Sequence, residues 1–136
     1  MSGELERRTF LKMGAAAAPA VAQILSSEFI ADPPPTRASH ASTVCDSKNG
    51  LVAAWFGGAA ERSPDCVIWQ SRFVDGRWLP AVEVARGNED GRQQLPCWNP
   101  VLFEKRNGPL YLFYKVGPSP SKWWGRVMRS DDGGIT

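Results

Sequence analysis

The sequence predicts an all-β chain made of one antiparallel unit written twice, the pattern of a β-propeller, and three observations carry that prediction. Short apolar or aromatic runs of strand length recur at 41–45, 51–56, 66–73, 100–103, 110–116 and 126–130. Turn residues separate them: Asp46-Ser47-Lys48-Asn49-Gly50, Asp75-Gly76 and Lys105-Arg106-Asn107-Gly108. Asn and Gly accept positive φ at low steric cost and so close hairpins. Finally, a shift of 59 residues lays Leu51 on Leu110, Ala53 on Leu112, Trp55 on Tyr114, Gly58 on Gly117 and Ser71 on Ser130. A repeated sheet that cannot bury its own faces stacks on its copies, and radial stacking of about four-stranded sheets makes a propeller.

Length and charge narrow the function. The chain has 136 residues, 16 Lys and Arg against 14 Asp and Glu, and a net charge of +2. The first 31 residues hold Arg7, Arg8 and Lys12 against Glu4, Glu6 and Glu28, so the remainder is near neutral too. Such a balance argues against a basic nucleic-acid footprint. From Asp32 onward no apolar run reaches the length of a spanning helix, and no stable membrane anchor is expected.

At the N-terminus, Glu6-Arg7-Arg8-Thr9-Phe10-Leu11-Lys12 precedes an alanine-rich, weakly apolar run from Met13 to Leu25. This resembles a twin-arginine export signal, with Ala18, Ala20 and Ala22 offering small-residue cleavage patterns. The reading implies a periplasmic or secreted protein whose first partner is the twin-arginine translocase. Pro33-Pro34-Pro35 cannot continue a helix and marks the boundary. The expected layout is a signal over 1–31, a Pro-rich linker over 32–38 and a propeller domain from 39 to 136.

The cysteines at 45, 66 and 97 form no CxxC pair and have no structural-zinc spacing. They are expected to serve as small buried hydrophobes. A Cys45–Cys97 or Cys66–Cys97 bridge stays open for an exported protein. No metal and no cofactor is expected.

Ser130-Asp131-Asp132-Gly133-Gly134-Ile135-Thr136 fits Ser-x-Asp-x-Gly-x-Thr. It resembles the Asp-box of the sialidase-like BNR-repeat propellers, in which the family's next residue is Trp. Ser71 to Trp78, with Asp75-Gly76, looks like a degraded copy. The resemblance runs from Ser39 to Thr136 and includes His40-Ala41-Ser42-Thr43, Ala53-Ala54-Trp55-Phe56-Gly57-Gly58, Pro96-Cys97-Trp98-Asn99-Pro100 and Lys115-Val116-Gly117-Pro118-Ser119-Pro120. It implies the opening of an exported bacterial exo-sialidase-like protein. Because the family is six-bladed, the chain is expected to be an N-terminal fragment carrying about two blades. The box marks architecture, with its Asp accepting backbone N–H groups inside a tight turn.

In such propellers substrate lies over the central axis, against the starts of the innermost strands and the loops between second and third strands. These places correspond to His40 and Asn99, which the 59-residue shift makes equivalent, and to residues 59–64 and 118–124. Sialidases carry Arg-Ile-Pro at the first position, to fork a sialic carboxylate; here Arg37-Ala38-Ser39-His40 stands instead. An uncharged sugar or a differently bound uronate is therefore as good a substrate.

Within Glu61-Arg62-Ser63-Pro64-Asp65, Asp65 matches the family's general acid/base, with Glu61 second. The plain rival is a solvated loop with an Arg62 ion pair, although Arg62 also suits a substrate carboxylate. Lys115 suits an anionic group, and Trp123 or Trp124 a sugar face. Adjacent strand residues point oppositely, so one of the two indoles is expected to reach a ligand, and packing between blades is the competing use for both. The resulting expectation is a glycoside hydrolase acting on glycans, with His40 and Asp65 catalytic and Arg62, Asn99, Lys115, Trp123 and Trp124 binding substrate. Two alternatives stand beside it. One is a carbohydrate-binding propeller without catalysis; the other is a polysaccharide lyase with His40 as base and Arg62 or Lys115 neutralising a uronate.

Overall fold

The computed structural model describes residues 23–88, 91, 93–106 and 108–136. The Arg7-Arg8 motif and most of the expected signal lie outside the described residues. Everything assigned is β: β1 (Ala38–Ser47), β2 (Gly50–Gly58), β3 (Val67–Val74), β4 (Arg77–Trp78), β5 (Val82–Ala85), β6 (Cys97–Glu104), β7 (Leu110–Val116) and β8 (Trp124–Ser130). All pairings are antiparallel. The first sheet runs β1-β2-β3, with β4 and β5 along the far edge of β3, and the second runs β6-β7-β8.

The six expected strands are all present. The two extra ones, β4 and β5, are short and flank Pro80, which interrupts the outer edge. Asp75 (φ 51°) and Gly76 (φ 76°) close the β3–β4 hairpin with both central residues left-handed, the geometry that matches the twist of the flanking strands.

The gapless 59-residue register needs correction. Pairing of Phe56 with His40 and of Lys115 with Trp98 aligns β1 with β6 at a shift of 58. Pairing of Gly57 with Val67 and of Val116 with Trp124 aligns β3 with β8 at 57, so only β2 and β7 keep 59. The physical reason is loop length: the β6–β7 turn is one residue longer than its counterpart, and the β7–β8 loop two shorter. His40 therefore corresponds to Trp98 rather than Asn99. Asn99 (φ 40°) corresponds to Ala41 (φ 49°), each sitting in the bulge that interrupts the innermost strand.

The core lies between the sheets. Val52, Ala54, Phe56 and Ile68 of the first meet Leu102, Leu110, Leu112, Tyr114 and Val116 of the second. In β7 the even positions are buried and Phe113 between them is 43% exposed, the period-2 pattern of a half-buried strand. β2 is buried along Val52–Gly58, hence its unbroken apolar run. Hydrogen bonds also stitch the sheets: Leu102 N donates to Thr43 Oγ1 at 3.3 Å, Cys97 N to the Cys66 carbonyl at 2.9 Å and Lys48 N to Glu104 Oε1 at 2.8 Å. None of the three cysteines is in a disulfide, so neither bridge forms; Cys66 and Cys97 are buried and Cys45 half-buried, and burial pushes the Cys66 thiol up.

The turn after β8 is held by its own side chains. Asp132 Oδ1 accepts from Ile135 N (2.9 Å), Thr136 N (3.0 Å) and the Ser130 hydroxyl (2.7 Å), while Oδ2 accepts from Thr136 Oγ1 (2.6 Å). These donors hold the Asp132 carboxyl far below the usual carboxylate range, Ser130 first. Gln70 Nε2 donates to the Gly134 carbonyl at 2.7 Å and Asn49 Nδ2 to the Asp132 carbonyl at 2.6 Å, anchoring the turn to the first sheet. Ser71 is no counterpart of Ser130: its hydroxyl donates to the Leu79 carbonyl at 2.6 Å, and strand pairing aligns Ser130 with Phe73 instead.

Candidate functional site

Antiparallel pairing sorts the connections between two ends of the sheets. The β1–β2, β3–β4 and β6–β7 connections and the Asp132 turn share one end. The starts of β1 and β6 and the loops 59–66 and 117–123 share the other. Every residue expected at the site sits at this second end.

There the structure builds an aromatic ladder. The His40 ring stacks on Phe56 at 5.2 Å between centroids, Phe56 meets Trp98 at 5.8 Å, and Trp98 takes Trp123 edge-on at 5.7 Å. Lys115 Nζ lies 4.5 Å from the centroid of the Trp123 ring. The rungs are fixed by backbone. Trp98 is buried and its Nε1 donates to the Gly117 carbonyl at 2.9 Å. Gly117 brings the loop so close that a Cβ there would lie 2.5 Å from the Trp123 Cα.

His40, Lys115 and Trp123 are thus joined through Phe56 and Trp98, two residues that sequence reasoning left out of the site. The sequence signal for Trp98 is its place in Pro96-Cys97-Trp98-Asn99-Pro100, beside the Asn99 that a gapless register aligns with His40. Trp124 turns away: it pairs with Val116 at the start of β8 and is 46% exposed, outside the ladder. Asn99 is exposed in its bulge, and Arg62 is exposed in the 59–66 loop with φ 72°.

His40 also borders a cleft of about 580 Å³ lined by Phe29, Pro34, Ser39, Ser42 and Trp55 among others. Its Nε2 atom is buried and has no hydrogen-bond partner among the described residues. A polar ligand atom would satisfy it.

Asp65 has a different character. Its Oδ2 accepts the Ala59 amide at 2.9 Å across the loop. The Ser63 hydroxyl and then the Ala59 amide hold its carboxyl below the usual carboxylate range. The loop is further closed by Ser63 N to the Ala60 carbonyl (3.1 Å) and Cys66 N to the Ser63 carbonyl (3.0 Å). Gln94 Nε2, in the segment leading into β6, ties it down through the Pro64 carbonyl at 2.8 Å. In this arrangement Asp65 is an ionised loop clamp at neutral pH, able to accept a proton or a hydrogen bond but holding no proton to give. Among the described residues no group of three or more His, Cys, Asp or Glu side chains is placed to hold a metal ion.

The family model of the BNR repeat-like domain matches residues 49–136. Searches of curated proteins and of solved structures gave no match. The matched stretch takes in β2 to β8 with the Asp132 turn and Trp98, Lys115 and Trp123. With that coverage, antiparallel sheets throughout and the Ser130–Thr136 turn closed on its own Asp, the chain belongs to the BNR repeat-like domain family.

Proposed function

We propose that this chain is the opening part of an exported, sialidase-like carbohydrate-active protein, and that glycan is met at the end of the sheets where β1 and β6 begin. The observation that carries this reading is the ladder His40–Phe56–Trp98–Trp123 capped by Lys115. The Trp123 indole suits the C–H face of a sugar ring with the Lys115 ammonium beside it, while the unsatisfied His40 nitrogen, at the other end of the ladder, suits a polar group of a neighbouring unit.

In the hydrolytic form of the reading, Asp65 acts at the glycosidic oxygen. It reaches the protonated state only when substrate displaces the Ser63 and Ala59 donors and dries the loop, which raises a carboxyl pKa. The clamp on Asp65 favours a second reading, a carbohydrate-binding propeller that needs no proton from this loop. A lyase asks His40 to act as base with Arg62 or Lys115 neutralising a uronate, and the separation of His40 from Lys115 along the ladder by Phe56, Trp98 and Trp123 speaks against the Lys115 form.

Incubation with neutral and uronate-bearing oligosaccharides in H₂¹⁸O, followed by mass spectrometry, tests these readings together. Hydrolysis incorporates solvent oxygen, a lyase leaves an unsaturated sugar, and a binder retains intact glycan on the protein. Unchanged glycan with no retention would overturn the proposal.

A further inference from the structure

Two adjacent glycines close β2, and neither takes a positive φ, so conformational freedom is not what they supply. They supply space. A Cβ on Gly57 would lie 2.5 Å from Thr36 Oγ1 and 2.7 Å from the Ala38 carbonyl oxygen. A Cβ on Gly58 would lie 2.9 Å from Asp65 Oδ1 and 2.9 Å from Cys66 N. Adjacent strand residues point to opposite faces, so the pair leaves one hollow on each side of β2, the first taken by Thr36 and the second by the Asp65 carboxylate.

Each occupant is fastened by hydrogen bonds. Thr36 Oγ1 donates to the Ala38 carbonyl at 3.0 Å and lies 3.3 Å from Ser39 Oγ, while Asp65 Oδ2 accepts the Ala59 amide at 2.9 Å. Ala38 and Ser39 pair with Gly58 and Gly57 at the start of β1, so the Thr36 hydroxyl is tied to the strand beside the glycine pair. Among the described residues, none of the backbone hydrogen bonds outside the strands involves 23–37, which leaves that hydroxyl as the segment's hydrogen-bonded tie to the sheet. Pro35, Thr36 and Arg37 from this segment and Ala59 and Asp65 from the loop line one open cleft of about 540 Å³.

We propose, resting on the reading of this end as the glycan surface, that Thr36 is a positioning residue for ligand at Asp65. Seated in the Gly57 hollow, it fixes residues 34–37 as the wall facing the Asp65 loop, and the Gly57-Gly58 pair sets wall and carboxylate at a fixed spacing. A side chain at 36 without a hydroxyl lets the wall drift. A methyl group at Gly57 pushes Thr36 out of its seat. Either change widens the cleft and costs the ligand the surface opposite Asp65.

Thr36→Val, Thr36→Ser and Gly57→Ala in the full chain test this in two arms. Without ligand, ¹H–¹⁵N spectra should show the Ala59 and Asp65 amides displaced in Thr36→Val and Gly57→Ala, but at parental positions in Thr36→Ser, which keeps the hydroxyl. Thr36→Val is close to isosteric and carries the test if the Gly57→Ala chain fails to fold. Titration with neutral and uronate-bearing oligosaccharides should then give a dissociation constant about tenfold higher for Thr36→Val and within about twofold of the parent for Thr36→Ser. Parental Ala59 and Asp65 amides in Thr36→Val would overturn the proposal. So would a Thr36→Ser chain displaced as far as Thr36→Val, or glycan affinity unchanged by Thr36→Val. If the parent takes up no glycan, the reading of this end as a glycan surface fails, and the ligand-free arm alone decides whether Thr36 positions the wall facing Asp65.

Discussion

Lys115 holds its ammonium 4.5 Å from the centre of the Trp123 ring, and Trp123 in turn rests edge-on against the buried Trp98. The contact fixes both groups at the strand-start end of the second sheet. A cation over an indole face is worth roughly 0.5–1 kcal/mol at an exposed site, enough to orient the pair but not to hold the fold. Trp123→Ala should therefore lower glycan affinity about tenfold or more while leaving the urea midpoint little changed. Isothermal titration beside a denaturation curve checks both halves. Trp124→Ala, outside the ladder, should leave affinity within about twofold.

Trp98 is the rung that supports the others, 2% exposed and bonded through Nε1 to the Gly117 carbonyl. Trp98→Ala should cost about 3–5 kcal/mol, the range for emptying a large aromatic site. Urea titration followed by circular dichroism would show the midpoint fall, and Trp98→Phe should recover part of it while still losing the bond to Gly117.

This residue also shows how far the sequence could be read. The hairpin turns are legible because Gly50, Asp75 and Gly76 are residues that accept the left-handed φ they adopt, and the six main strands because their apolar runs have strand length. Register is not. One added residue in the β6–β7 turn and two fewer in the β7–β8 loop leave similar residues aligned by eye while shifting their true partners. Hence a gapless register matches His40 with Asn99 instead of Trp98, and Ser130 with Ser71 instead of Phe73. The Asp65 clamp was hidden for another reason: its donors, Ser63 and the Ala59 amide, take effect only once the loop curls back on itself.

Acid should loosen the Asp132 turn. Its carboxyl titrates below the unfolded value of about 3.9, so its stabilising effect is complete at neutral pH and is lost as pH falls through the unfolded value toward the folded one. Thermal melts between about pH 6 and pH 2 should show a decline in Tm that Asp132→Asn flattens. At pH 7 the same variant should melt several degrees lower than the parent.

Gly134 (φ 87°) sits where a Cβ would lie 3.2 Å from Gln70 Nε2 and from Leu110 Cδ2. Gly134→Ala combines that crowding with a left-handed backbone and should destabilise by about 1–2 kcal/mol. Glycan binding by the folded fraction should be unchanged, because this turn lies at the far end of the sheets from Trp123. A parallel chemical-denaturation and titration experiment separates the two effects.

The most direct test of a glycan surface at the strand-start end uses the six tryptophans as built-in reporters. In a ¹H–¹⁵N spectrum, titration with neutral and uronate-bearing oligosaccharides should shift the indole resonances of Trp123 and Trp98. Trp78, packed on Phe73 at the opposite end, should stay still. Shifts confined to Trp78, or none at any indole up to millimolar glycan, would contradict the account.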